Sequence, residues 1–177
     1  AGERLDLGTE TAAFCEAVTT TDLATATRAH DDLFGLPDAE GAYPVVPYEA
    51  NYTTSGEGGE AQRRIATVVG LMEAFDVQPA ETFHERQDHV AAELELAAIV
   101  AAKRAVAAEA DASADAVEHL RGAERTLLDE HLSDFVPALA HDLRAATDDP
   151  LLEATVALGA ALVRRDAAEA REVNDDA

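Results

Sequence analysis

Tryptophan is absent from this 177-residue chain, and lysine, methionine and cysteine occur once each, as Lys103, Met72 and Cys15. A single cysteine excludes an internal disulfide framework. Without paired Cys/His spacings there is no sequence for a structural zinc knot either, and a lone thiol suits a reducing compartment, so a cytoplasmic protein is expected. Long apolar runs are also missing. The most apolar stretch, 94–102, carries Glu95 and has helical spacing, so no segment suits a bilayer span and no stable membrane insertion is expected. Nor does a basic segment followed by an apolar core stand near the start, as a secretory leader would require.

Positive charge is scarce. Thirteen basic residues face 36 acidic ones, for a net charge of -23. Such a field repels phosphate backbones, so nucleic acid is not an expected partner. The acidic residues are spread along the whole chain, with arginine in place of lysine and alanine in place of larger side chains. That distribution fits a surface adapted as a whole to molar salt, as in a haloarchaeal-type acidic proteome, more simply than it fits a patch for one cationic partner. At about 1 M salt the Debye length is only ~3 Å, so the self-repulsion is screened. A chain of this length folded as one domain, 1–177, buries roughly 70% of its unfolded surface, enough for a true core.

No strand alternation, internal repeat or low-complexity linker is present, and 3.6-residue periodicity dominates. Residues 9–18 predict a helix opened by Thr9, with Phe14, Cys15 and Val18 on one side. Residues 21–34 predict a second, with Asp22 in the first turn and Leu23, His30, Leu33 and Phe34 facing inward. From 35 to 59 the pattern stops at Pro37, Gly41, Pro44, Pro47, Gly56, Gly58 and Gly59, which predicts one long irregular connection of the sort that is functional or disordered. Helical spacing returns over 60–75. A central helix over about 85–110, with little polar face in its middle, is expected to be surrounded by others. Further helices are expected over 114–132, over 136–146 after a break or restart at Ser133 and Pro137, and from Asp149-Pro150 onward, ending in a frayed acidic tail from about 169. The expected fold class is all-α, a single multi-helix bundle with one long connection.

Enzyme chemistry finds no purchase in these residues. There is no Gly-x-Ser-x-Gly elbow, Cys15 has no neighbouring base, and Gly56-x-Gly58-Gly59 lacks the lysine and preceding strand of a phosphate loop. Metal binding is the main rival. A di-iron bundle needs two Glu-x-x-His motifs on separate helices, and Glu81-Thr-Phe-His84 is a single copy beside Pro79. His30-Asp31 and His141-Asp142 have the order of metal-phosphohydrolase doublets, but in so acidic a chain such pairs arise by chance. No catalytic residue, metal ligand or cofactor is therefore assigned, and a helical metal- or ligand-binding protein stands as the alternative reading.

Two segments are not explained by bundle packing alone. Pro47-Tyr48-Glu49-Ala50-Asn51-Tyr52, within the long connection, holds two of the three tyrosines, and an aromatic with a polar end suits a wall that meets both apolar and polar parts of a ligand. Asp88-His89-x-x-x-Glu93-Leu94 opens the central helix with His89 and Glu93 one turn apart, and Asp88 where a carboxylate favours the helix dipole. Taken alone, that segment reads as a cap and a core histidine.

With Leu33-Phe34 before them and Glu130-His131-Leu132 followed by Phe135 after them, these boxes fall in an order that resembles the TorD/DmsD/NarJ family of redox-enzyme maturation chaperones. Gln87 stands where that family often has proline, and Phe135 where it often has tryptophan. The resemblance implies an all-helical chaperone that is not an enzyme. It would bind the twin-arginine leader, or another segment, of a molybdopterin-containing oxidoreductase catalytic subunit, assist cofactor insertion, and delay export or assembly. It implies a peptide groove lined by Tyr48, Glu49, Tyr52, Asp88, His89 and Glu93, with His131 in a second rank. A monomer or a homodimer fits it equally. In molar salt only direct ionic contacts with leader arginines survive. Burial of roughly 400 Å² of apolar leader at about 25 cal/mol/Å² supplies on the order of 10 kcal/mol before ordering costs, so the apolar term is expected to dominate recognition.

Overall fold

The structure, a computed structural model, describes residues 7–35, 43–55 and 59–175, with side chains described as far as Arg171. The chain is all-α. Its helices are α1 (Gly8–Thr20), α2 (Leu23–Phe34), α3 (Ala50–Thr53), α4 (Glu60–Ala74), α5 (Val90–Glu109), α6 (Ala114–Thr126), a π-helical turn (Leu127–Leu132), α7 (Ser133–Ala146) and α8 (Pro150–Asp175). Contacts group the chain into two compact units, one of residues 1–47 with 136–172, the other centred on residues 48–135.

Caps explain several of these boundaries. Asp22, expected inside the first turn of α2, is instead its N-cap. Its carboxylate accepts from the Thr25 N–H at 3.0 Å and from the Thr25 hydroxyl, and these bonds hold it below the usual carboxylate range. Ser113 caps α6, and Asp149 caps α8 by accepting from the N–H groups of Leu151 and Leu152, each at 3.0 Å. Gly59 starts α4 with φ +87°, the left-handed region that glycine enters without Cβ strain. Thr9 does not cap α1, which begins at Gly8 after Leu7.

In the first unit, Ala17, Leu33, Val45, Leu139, Leu143 and Val163 are buried. The inward faces expected for α1 and α2 are only partly so: Leu33 is enclosed, while Leu23 is 82% exposed and Cys15, Val18 and His30 also face solvent. Small alanine and threonine side chains surround these positions, so a helix can turn them outward at little cost. α8 continues to Asp175, so helical backbone extends beyond 169, where fraying was expected.

The second unit holds the candidate residues. Its core gathers Val68 and Met72 of α4, Phe75, Leu96 and Val100 of α5, and Leu127. α5 is not enclosed on all sides: Leu96 and Val100 are buried while Glu95, Ala98 and Val106 are exposed. Its alanines make a helix look apolar all round, yet they conceal one exposed face. A two-pronged ion pair from Arg104 to Glu124 ties α5 to α6. Of the break or restart expected at Ser133, the structure shows the restart, as the first residue of α7, without a gap in the helix. The helix widens instead into the π-turn, where the Ser133 N–H reaches the Leu128 carbonyl, and α7 follows directly with Pro137 inside it.

The described part of the 35–59 connection carries structure of its own. Tyr48 and His89 form an isolated antiparallel bridge, and α3 follows at once. Pro37, Gly41, Gly56 and Gly58 lie outside the described residues.

Candidate functional site

Backbone pairing joins the two boxes that stood apart in sequence. The Glu49 N–H donates to the Asp88 carbonyl at 2.8 Å, and the Ala50 N–H donates to Asp88 Oδ2 at 3.2 Å. Asp88 thereby holds the start of α3, and it directly precedes the cap of α5. The cap itself is His89, whose Nδ1 accepts from the Ala91 N–H at 3.1 Å. Arg86 grips the Asp88 carboxylate from solvent, with Nε 2.8 Å from Oδ1, and the same guanidinium lies 4.4 Å over the centre of the Tyr48 ring. The neighbouring Asp88 carboxylate raises the Arg86 pKa.

An aromatic row results. The Tyr48 and His89 rings meet edge to face with centroids 5.4 Å apart, and Phe83 meets His89 from another side at 5.8 Å. The Tyr48 hydroxyl donates to Glu85, a bond that pushes its pKa up to about 12. Phe83 in turn forms part of a cleft of about 360 Å³, walled by Met72, Val77, Pro79, Ala92, Leu96 and Ile99, with Glu95 on its margin. This apolar cleft therefore adjoins the row on the Phe83 side.

Behind the row lies a buried polar cluster. Glu49 precedes α3, Glu93 sits in the first turn of α5 and His131 in the π-turn, and all are enclosed, at 0%, 0% and 2% exposure. Glu49 is well provided for. Arg64 Nη1 donates to its Oε1 at 2.7 Å, and His131 Nδ1 lies 3.0 Å from its Oε2. Arg64 also donates to the Glu130 carbonyl, at the π-turn. Glu93 receives no hydrogen bond from the protein on either oxygen, nor does His131 Nε2 have a protein partner. Burial, then the nearby carboxylates of Glu49 and Asp88, push the Glu93 pKa up to about 9. Tyr52, one turn from Glu49, stacks on the buried Phe135 with centroids 5.4 Å apart.

All seven residues singled out in the sequence thus fall in one neighbourhood, but not with equal access. Tyr48, Tyr52 and His89 are half-buried, whereas Glu49, Asp88, Glu93 and His131 are enclosed. Arg64, Arg86, Phe83 and Glu85 escaped the sequence reading. A doublet of scarce arginines, Arg63-Arg64, and Arg86 two residues before Asp88 were the available signals. The other candidate ligands stay at the surface: Glu81 and His84 lie exposed on a turn, His30 and Asp31 are 3.3 Å apart in solvent, and His141-Asp142 is exposed.

The fold and this site define an all-helical protein in which a proline-tyrosine connection is locked onto the start of a long helix over a buried polar centre. The chain belongs to the nitrate reductase delta subunit family, whose pattern it matches over residues 3–141. That family is one of chaperones for molybdoenzyme maturation, of the NarJ/TorD type. No curated protein and no solved structure matches the chain. Among the described residues, no helix is long and apolar enough to cross a membrane.

Proposed function

We propose that the chain is a non-enzymatic maturation chaperone. It holds the twin-arginine leader, or another segment, of a molybdopterin-containing oxidoreductase subunit, assists cofactor insertion and delays export or assembly until the cofactor is in place. The observation that carries the reading is the aromatic row Tyr48–His89–Phe83 beside an apolar cleft, in a chain of this family. An apolar client segment would bury its side chains against Val77, Pro79, Phe83 and Ile99, and the exposed carboxylates of Glu81, Glu85 and Glu95 offer short-range partners for client arginines.

The seven residues then divide the work. Tyr48, His89 and Tyr52 face the client. Glu49, Asp88, Glu93 and His131 set the geometry from behind, fixing where the connection crosses α5. The protein acts in the cytoplasm, before export.

Co-production with a candidate reductase subunit tests this directly. The molybdopterin content of the purified subunit is expected to fall several-fold when Tyr48→Ala/His89→Ala replaces the unaltered chaperone. Equal cofactor content with and without the chaperone would overturn the reading.

A further inference from the structure

The buried cluster behind the aromatic row is built like a metal site. Glu49, Glu93 and His131 come from three separate segments, and one ligand atom from each lies within 4.8 Å of the other two. Two of the three acids nearby are satisfied by the protein: Glu49 by Arg64 and His131, Asp88 by Arg86 and the Ala50 N–H. Glu93, fully enclosed and placed among them, is given no donor at all on either oxygen. Buried carboxylates are normally paired, hydrogen-bonded or metal-bound, so this one calls for a positive counterpart.

We propose that Glu49, Glu93 and His131 bind a divalent first-row transition ion of the zinc class. Two carboxylates and one imidazole suit zinc, manganese or ferrous iron, whereas magnesium and calcium prefer oxygen donors alone. Zinc bonds to such ligands span about 2.0–2.2 Å, so the three groups draw together around the ion as it displaces to solvent the proton of Glu93 and the one between Glu49 and His131. Arg64 holds Glu49 through Oε1 and leaves Oε2 turned to the cluster, the kind of outer contact that orients a ligating carboxylate. Its guanidinium is a cation opposing the ion, and it is partly solvated. Enclosure of all three ligands makes the site a structural pin. It would fasten the residue before α3, the first turn of α5 and the π-turn to one another, and so hold the bridge between Tyr48 and His89.

The test uses the full chain, stripped with chelator and kept in 2 M KCl to suppress binding by surface carboxylates. Zinc is titrated against a chromophoric competitor, and cobalt(II) is followed by its visible absorption. One equivalent should bind in the submicromolar range. Glu93→Gln, nearly isosteric, should weaken binding by more than about 100-fold, beyond what loss of an outer contact does. His131→Gln should do the same, while Asp31→Asn on the exposed doublet should change nothing. Bound cobalt should show the intense bands of a four- or five-coordinate ion, a readout on the unaltered protein that stands even if a variant fails to fold. Weak, non-stoichiometric uptake, an aqua-like cobalt spectrum, or affinity unchanged in a folded Glu93→Gln protein would each overturn the proposal and leave a proton as the partner of Glu93.

Discussion

Arg64 shows how one side chain can hold a buried centre together. It bonds a fully enclosed carboxylate and a carbonyl at the π-turn, while a third of its own surface remains wet. Removing the partner of a fully buried ion costs about 3–5 kcal/mol. Because Arg64 is partly solvated and His131 still reaches Glu49, Arg64→Met is expected to cost about 2–3 kcal/mol in urea unfolding at 2 M KCl. Arg165→Met, which breaks an exposed pair with Glu169 one turn along α8, should stay within about 0.5 kcal/mol. Glu93 gives a pH signature in chelator-treated protein. Its folded pKa of about 9 lies above the ordinary value of 4.5, so the folded state holds the extra proton between those limits. The contribution of Glu93 to stability is therefore fully present below about pH 4.5 and declines as pH rises toward 9. Glu93→Gln should flatten that decline, and a thermal melt series across pH 5 to 9 reads it. The residues of the two boxes could be seen in sequence because short motifs carried them. Arg64 could not, since its partners Glu49 and Glu130 lie 15 and 66 positions away.

At the scale of elements, helix existence was legible and helix orientation much less so. Periodicity placed α4 to within a residue, and Asp149-Pro150 marked the start of α8, because caps and prolines act locally. Asp149→Ala should accordingly cost about 1–2 kcal/mol through two orphaned N–H groups, measurable by denaturant unfolding. α1 and α2 were assigned faces that the structure only half supports. Leu23 at 82% exposure is the clearest case, since alanine and threonine mark no side as inward. The π-turn had no sequence signature. Ser133 and Pro137 mark a break or restart in the sequence, and the restart comes without a gap: a widened turn leads straight into α7 and puts His131 where Glu49 can reach it. Such turns are rare and often lie at functional sites, which agrees with the role proposed for this one. Leu96→Ala, at the bottom of the cleft with no exposed surface, should cost 2–5 kcal/mol by the usual range for core leucine.

Across the whole molecule, charge is the governing property. A net charge of -23 on 177 residues makes the fold oppose its own field in dilute buffer, and salt relieves this. Melting temperature should rise between 0.1 and 2 M KCl, as followed by circular dichroism. The same screening separates two ways of holding a client. Capture by arginine-carboxylate attraction fades as salt rises, whereas capture by an apolar cleft beside Tyr48, His89 and Phe83 does not. Calorimetric titration of a candidate reductase leader peptide at 1 M and then 3 M KCl distinguishes them most directly. Affinity that holds or strengthens with salt, and that Tyr48→Ala weakens at both concentrations, is the expected result. Affinity that collapses at 3 M, or that is indifferent to Tyr48, would contradict recognition by this cleft.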